Sequence, residues 1–330
     1  MVMIITNVIG EEQAILEKMD NFDLDLGGTN DFVFDVPLSA YDPIIHNKGC
    51  QIFAPGTEYG GIISGREIMR DGSIRLSGHA WRGRLARKVI EPPAGQDYRV
   101  VSGEANAVIR SLIGEQFGRL FVVDGDDSGI TINRHQFPRY VTLLEGIEEM
   151  LKKKSARLKI YYVQGPSNGV GAVHLCAVPA TDYSAEIEFS EDYRLQISVK
   201  EEWGGINHLI CLGKGDLKER LVRHLYVQKD GTIGTRKDFT GLAEMTAVYD
   251  YKSADDEESL IEEGTKRLKE LADYRQCEVS VTNGTELEIG DVVGGRERIT
   301  GTVMKVPVAG KILRIQKGKE TIEYKAKEAD

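Results

Sequence analysis

The sequence predicts a β-rich α+β chain: two related antiparallel β-barrel domains with smaller α+β insertions. Three observations lead there. Both ends of the 330-residue chain are runs of short strand candidates broken by Gly, Pro and Asp. The middle and one later stretch show apolar residues at helical spacing. The third is an internal echo. GCQIFAPGTEYGGIISGREIMRDGSIRLSG (49–78) is loosely matched by IGDVVGGRERITGTVMKVPVAGKILRIQKG (289–318), each reading as a strand, a loop, a Gly-flanked strand, another loop and a final strand. A chain of this length exceeds one small core, so roughly two to four units are expected.

In chain order, NDFVFDVPL, CQIFAPG, YGGIISGREI and GSIRLSGHAW are the strand candidates of a first barrel over 1–98, closed by the breaker EPPAGQDY (91–98). An α+β domain over 99–183 follows. In EANAVIRSLIGEQFG, Ala105, Val108, Ile109, Leu112, Ile113 and Phe117 share one helix face. TLLEGIEEMLKKK is a second helix. Thr142 and Glu145 form its capping box, and Lys152, Lys153 and Lys154 sit where the C-terminal dipole favours cations. LKIYYV and AVHLCAV are its strands. A second barrel is assigned to 184–250 and 279–330, from AEIEFS, RLQISVK, HLICLG, RHLYV, CEVSVTN, IGDVVGG, TGTVMKV, GKILRIQKG and ETIEYKA. A helical insertion over 251–278 interrupts it, with Leu260, Ile261, Gly264, Leu268 and Leu271 on one face. Asp255, Asp256, Glu257 and Glu258 open that helix and Lys266, Arg267 and Lys269 lie in its later half, which complements its dipole.

Composition excludes some functions. The net charge is −10 and the pI about 5.3, a poor match for DNA or an anionic membrane. No apolar run approaches the ~18–20 residues that span a bilayer. The start, MVMIITNVIGEEQ, lacks the basic n-region and small-residue cleavage site of a signal peptide. Cys50, Cys176, Cys211 and Cys277 are far apart, which fits reduced thiols in a chain made in the cytoplasm.

The chemical candidates are weak. Gly213-Lys214 ends an apolar strand, but a phosphate loop needs GxxxxGK followed by Ser or Thr; here His208 stands where the first Gly belongs, and Gly215 and Asp216 follow. His208, Cys211 and His224 suggest a metal site on paper. HLICLG reads as a strand, however, so residues three apart point to opposite faces. His174 and Cys176 share a face without further convincing ligands. No GxSxG or HExxH occurs. No catalytic, cofactor-binding or metal residue is therefore assigned, and no cofactor is expected. Lys305, Lys311, Arg314, Lys317, Lys319, Lys325 and Lys327 form a basic tail interleaved with four acids, the pattern of outward strand faces; only Tyr324 supplies an aromatic for nucleic-acid stacking.

A set of motifs runs in order along the chain: NDFVFDVP (30–37), TEYGGII (57–63), GHAWRG (78–83), KVIEPPAGQDY (88–98), GEANAVI (103–109), NHLICLGKG (207–215), RHLY (223–226), AVYD (247–250), IGDVV (289–293) and TG (300–301). Together they resemble the tail-hub proteins of tailed phages and prophages, the siphophage hub-like family related to the baseplate hubs of contractile phages. The resemblance implies a structural, non-enzymatic virion protein, a homotrimer with two similar barrels per subunit. It implies a place at the distal end of the tail, between the tail tube or distal-tail ring and the tail tip. The implied partners are distal-tail or tail-tube, tape-measure, and tip or fibre proteins. DNA is met only in transit, and no membrane insertion is expected. Six nearly equivalent modules in a trimer make a symmetry adaptor between six-fold and three-fold rings. An acidic channel wall would keep passing DNA from sticking; 246–278, with ten acids against five bases, holds half the net charge, although its helix is placed more simply on the outer surface. The alternatives are a tail-associated cell-wall hydrolase with a spatially assembled site, and a carbohydrate-binding tip module.

Overall fold

The computed structural model describes residues 1–16, 20–114, 116–184, 195–254, 256–272, 274–281, 286–296, 303–316 and 318–326. The chain divides into two compact units, one of Met1–Ile197 with Val279–Lys327 and one of Ser198–Glu278 with Glu328–Asp330.

The chain opens with seven strands: β1 (Ile4–Thr6), β2 (Glu12–Ile15), β3 (Asp20–Leu26), β4 (Asp31–Val36), β5 (Gln51–Phe53), β6 (Gly60–Ile68) and β7 (Ile74–Ala80). The short helix α1 (Trp81–Leu85) caps β7. Then come β8 (Val100–Glu104), α2 (Ala105–Ile113), β9 (Phe121–Val123), β10 (Thr131–Gln136), α3 (Leu143–Lys152), β11 (Ala156–Val163) and β12 (Ala172–Pro179). The later chain contributes β13 (Leu195–Glu202), β14 (His208–Leu212), β15 (Val222–Val227), β16 (Ile233–Gly234), β17 (Thr246–Asp250), α4 (Glu257–Leu271), β18 (Tyr274–Val281), β19 (Val292–Arg296), β20 (Val303–Gln316) and β21 (Lys319–Ala326).

Among the described residues, one long antiparallel sheet, curled into a half-barrel, runs in the order β13-β18-β21-β20-β3-β4-β7-β6-β5-β1-β2, with β19 also paired to β20. The alternation of β7, Ile74, Leu76, Gly78 and Ala80 inward, shows why these strands sit still: one face is buried and a slip of one residue would invert it. Phe22, Leu24, Phe32, Phe34, Ile63 and Leu76 fill its inner face. The helices α2 and α3 pack with β11, β12 and β9 over a second core that also takes in Phe53, Trp81 and Leu85. Both helices start as their sequences require. Thr142 accepts from the Glu145 N–H at 3.2 Å, and Glu104 accepts from Asn106 and Ala107.

The second unit holds a four-stranded mixed sheet, β16-β15-β14-β17, with α4 on one face. Its helix buries Leu260, Gly264 and Leu268, the face read from the sequence.

Two readings change. TGTVMKV and GKILRIQKG are not two strands: the fourteen-residue β20 runs through Pro307 and Gly310. Pro307 is tolerated because it lies in the half of β20 that pairs with β19, and a register break between Val308 and Gly310 separates that half from the one that pairs with β3. The echo of 49–78 and 289–318 is therefore three strands against two. The strands of 184–250 divide: β13 joins β18, β21 and β20 in the long sheet, and the rest do not. Strands β14 to β17 pair among themselves, while β20 joins β3 by the register Lys311 to Leu26. AEIEFS lies outside the described residues.

Candidate functional site

The charged centre of the first unit is a network that the individual motifs do not show. Glu58 comes from the turn before β6, Arg82 from α1, Glu148 from α3, Glu288 from the loop before β19 and Lys311 from β20. Arg82 Nε donates to Glu58 Oε2 at 2.9 Å, and its Nη1 to Glu148 Oε1 at 2.5 Å. Lys311 Nζ lies 2.6 Å from Glu58 Oε1 and donates to Glu288 Oε2 at 2.8 Å. The side chains of Glu58, Arg82 and Lys311 are only 2–3% exposed. Burial alone would raise the Glu58 carboxyl, but the Arg82 and Lys311 charges outweigh it and hold it at about 2. Burial pulls Lys311 down, and Glu58, Tyr59 and Glu288 more than reverse that. A buried carboxylate between two cations, each hydrogen-bonded, is the arrangement in which buried charge is tolerated.

Here one expectation is corrected. The charge pattern puts Lys311 in an outward basic tail, yet it points into the fold. Its phase carries the signal, since Lys311 alternates with Leu313 and Ile315 rather than with Arg314. The other tail cations among the described residues follow the outward reading. Arg314 pairs with Asp23 and Glu323, Lys305 with Asp182, and Lys325 lies 3.6 Å from Asp25. Lys317 and Lys327 lie outside the described residues.

Neighbouring motifs meet around the same centre. A Cβ on Gly61 would lie 2.3 Å from the His79 carbonyl and 2.7 Å from the Phe32 ring, and one on Gly78 would lie 2.0 Å from the Ile62 carbonyl. The glycines of TEYGGII and GHAWRG thus let the Phe32 ring of NDFVFDVP lie against the backbone. In IGDVV, Gly290 adopts φ +97° and a Cβ there would strike Arg157 at 2.7 Å. Asp291 beside it is 1% exposed; it accepts from Arg157 Nε at 2.9 Å and from the Thr181 and Glu288 amides. These residues tie the C-terminal strands to the α+β segment.

The candidates for chemistry are placed otherwise. His174 Nδ1 sits 2.8 Å from Asp124 Oδ1, the geometry of a base and its orienter. The nearby thiol does not complete a triad: burial and the Asp124 charge push Cys176 up to about 11, and it bonds to that carboxylate rather than serving the imidazole. Tyr161 donates to the other Asp124 oxygen at 2.8 Å. In the second unit, His208 and Cys211 do lie on opposite faces. Cys211 is under α4, where a Cβ on Gly264 would be 2.5 Å from its Sγ. His208 stacks on Tyr226, and its Nε2 is 2.8 Å from His224 Nδ1, while its Nδ1 is 2.7 Å from Glu244 Oε1. Among the described residues, no group of three His, Cys, Asp or Glu could hold a metal ion, and no helix is long and apolar enough to cross a membrane.

The Gly-Lys-Gly segment is a hairpin loop. Gly213 N–H donates to the Leu221 carbonyl and Leu221 N–H to that of Lys214, closing β14 onto β15, and Arg220 Nε donates to the Gly213 carbonyl. The chain continues into a three-residue 3-10 turn at Leu217–Glu219 and then a strand, so the loop does not lead directly into a helix as a phosphate loop does.

No protein-family model matches the chain, and no curated protein matches it. Solved structures do. The chain is similar over 99% of its length to 98% of the 43 kDa tail protein of prophage MuSo2 from Shewanella oneidensis, with 12% identity and a TM-score of 0.55. It is similar, over all of both chains, to a chain of the phage P2 baseplate in its activated conformation with Ca, at 10% identity and a TM-score of 0.57. A chain of the p2 virion baseplate in activated conformation gives 11% identity, complete coverage of both chains and a TM-score of 0.58. At these identities the likeness shows the fold: the chain shares, from end to end, an architecture found in phage tail and baseplate proteins.

Proposed function

We propose that this chain is a structural component of a phage or prophage tail, the hub that joins the tail tube or distal-tail ring to the tail tip and forms the channel end through which the genome passes. The full-length correspondence with a phage P2 baseplate chain supports this reading, because the likeness covers all of both chains rather than one common module. The chain works by assembly and performs no chemistry. The Asp124–His174 pair lacks an activated nucleophile, which favours this over a hydrolase. The working form is a homotrimer in the virion tail, in contact with distal-tail or tube, tape-measure and tip or fibre proteins. In this reading β20 is shared between two barrel-like modules. Its second half belongs to the N-terminal sheet, and its first half, with β19, belongs to the other module. Three chains then offer six modules to a six-fold ring.

Deleting the coding sequence from a particle-producing lysogen tests this. Electron micrographs should show no complete tails, with assembly restored by the chain supplied in trans. Morphologically complete, genome-ejecting particles in its absence would overturn the proposal.

A further inference from the structure

A small cavity in the first unit has the make-up of an anion site. It measures about 140 Å³ and is lined by His46, Lys48, Ser64 and Arg66 with Ile63 and Leu76; among the described residues no Asp or Glu lines it. His46 is 3% exposed. Its Nδ1 accepts the Asp42 backbone N–H at 2.9 Å, and since an amide can only donate, the ring proton must be on Nε2. That Nε2–H is buried and has no acceptor among the described residues. A buried donor in this state calls for an acceptor.

The surroundings are pre-organised. The loop carrying His46 is tied down by His46 N–H to the Asp42 carbonyl, Cys50 N–H to the Asn47 carbonyl and Gly49 N–H to the Ile63 carbonyl. Asp42 spends its carboxylate on the Ile44 amide. Ser64 is the extra residue where the β6–β7 register breaks between Ile63 and Gly65, a bulge that leaves it out of the pairing register, exposed and lining the cavity. Tyr41 stacks on the His46 ring at 5.6 Å and accepts from Arg66 Nη1 at 2.6 Å, which positions both donors and leaves the remaining guanidinium N–H groups for a ligand. Burial pushes the His46 imidazole down, so it stays a neutral donor while Lys48 and Arg66 bring the charge.

We propose that this cavity binds one small oxyanion, a carboxylate or a phosphate, through His46 Nε2–H, Arg66, Lys48 and Ser64. Planar forked donors beside a point charge suit either group. On a chain that assembles, the carboxylate of a neighbouring chain is one source; free phosphate is the other.

The test is calorimetric titration of the full chain with inorganic phosphate and, separately, with acetate. The expected result is saturable binding in the millimolar range, weakened about tenfold or more in Arg66→Gln and in Lys48→Gln. Tyr41→Phe, which keeps the stacking and frees Arg66, should weaken it less. Binding of acetate as tight as that of phosphate identifies a carboxylate site; preference for phosphate identifies the free anion. Both outcomes support the site. Absence of saturable binding of either anion, or binding equal in wild type and both charge variants, overturns it. A crystal soaked in phosphate that shows only water beside His46 overturns it as well. The tail role does not enter these readouts, so the two proposals fail separately.

Discussion

Replacing Glu58 by Gln removes one charge from the buried network and almost no volume. The cost comes from the carboxyl itself. It titrates at about 2 in the folded chain against an ordinary value of 4.5. At about 1.4 kcal/mol per pH unit, that gap is worth about 3 kcal/mol at neutral pH. The independent expectation for breaking a buried ion pair is about 3–5 kcal/mol, since Arg82 and Lys311 would be left as buried cations without their shared partner. The sign is fixed by the depressed value. The stabilisation is complete above the ordinary carboxyl value near 4.5 and fades as pH falls toward about 2, because the wild-type carboxyl then takes up the proton that Gln mimics. Scanning calorimetry at pH 7 should show the transition of the first unit lowered by roughly 6–12 °C. The difference between wild type and variant should narrow steadily between pH 4.5 and acid. A loss below about 1 kcal/mol at pH 7, the range of a solvent-screened surface pair, would refute the claim that the network locks β20 to α1 and β6.

Other outcomes rest on single contacts. Gly264→Ala pushes a methyl group against Cys211 and should destabilise the second unit by about 1–3 kcal/mol, seen in its urea transition, with partial recovery in the Gly264→Ala, Cys211→Ala double variant. Asn106, 2% exposed, donates to the Asp126 carbonyl and accepts from the Ala177 amide, so Asn106→Ala should cost about 1–3 kcal/mol in the same assay and expose the Ala177 amide to hydrogen exchange. Glu104→Ala removes the cap of α2 and should cost about 1 kcal/mol. The Glu104 carboxyl is held at about 2, burial being outweighed by the bonds from Ser128, Asn106 and Ala107, so this contribution too is present above its ordinary value and lost as pH falls toward 2.

Local structure was legible in most elements that bury one face with an unbroken period. The helices α2, α3 and α4 appear with their predicted apolar faces, α3 with its predicted Thr142 cap, and β4 to β7 appear where alternation and glycine punctuation put them. Other strands are absent from the sequence candidates: β9 has only three residues, β17 (TAVYD) appears only as a motif, and β3 is absent although its Phe22, Leu24 and Leu26 alternate on a buried face. What could not be read was which strands pair. The sheet joins β20 to β3 across almost the whole chain, and no local period encodes a partner nearly three hundred residues away. The charge network was hidden for the same reason. Glu58, Arg82, Glu288 and Lys311 are ordinary surface residue types, and only the long-range pairing makes them neighbours. The faces of His208 and Cys211, by contrast, are set by strand geometry alone, and they lie as that geometry requires.

The central claim is that this chain acts by assembling as a three-fold tail component. Light scattering across a range of protein concentrations, alone and with the distal-tail ring protein added, tests it most directly. The account predicts a species at three times the 36.6 kDa chain mass, alone or captured on the ring. A stable dimer, or a monomer that stays monomeric in the presence of the ring, would contradict it.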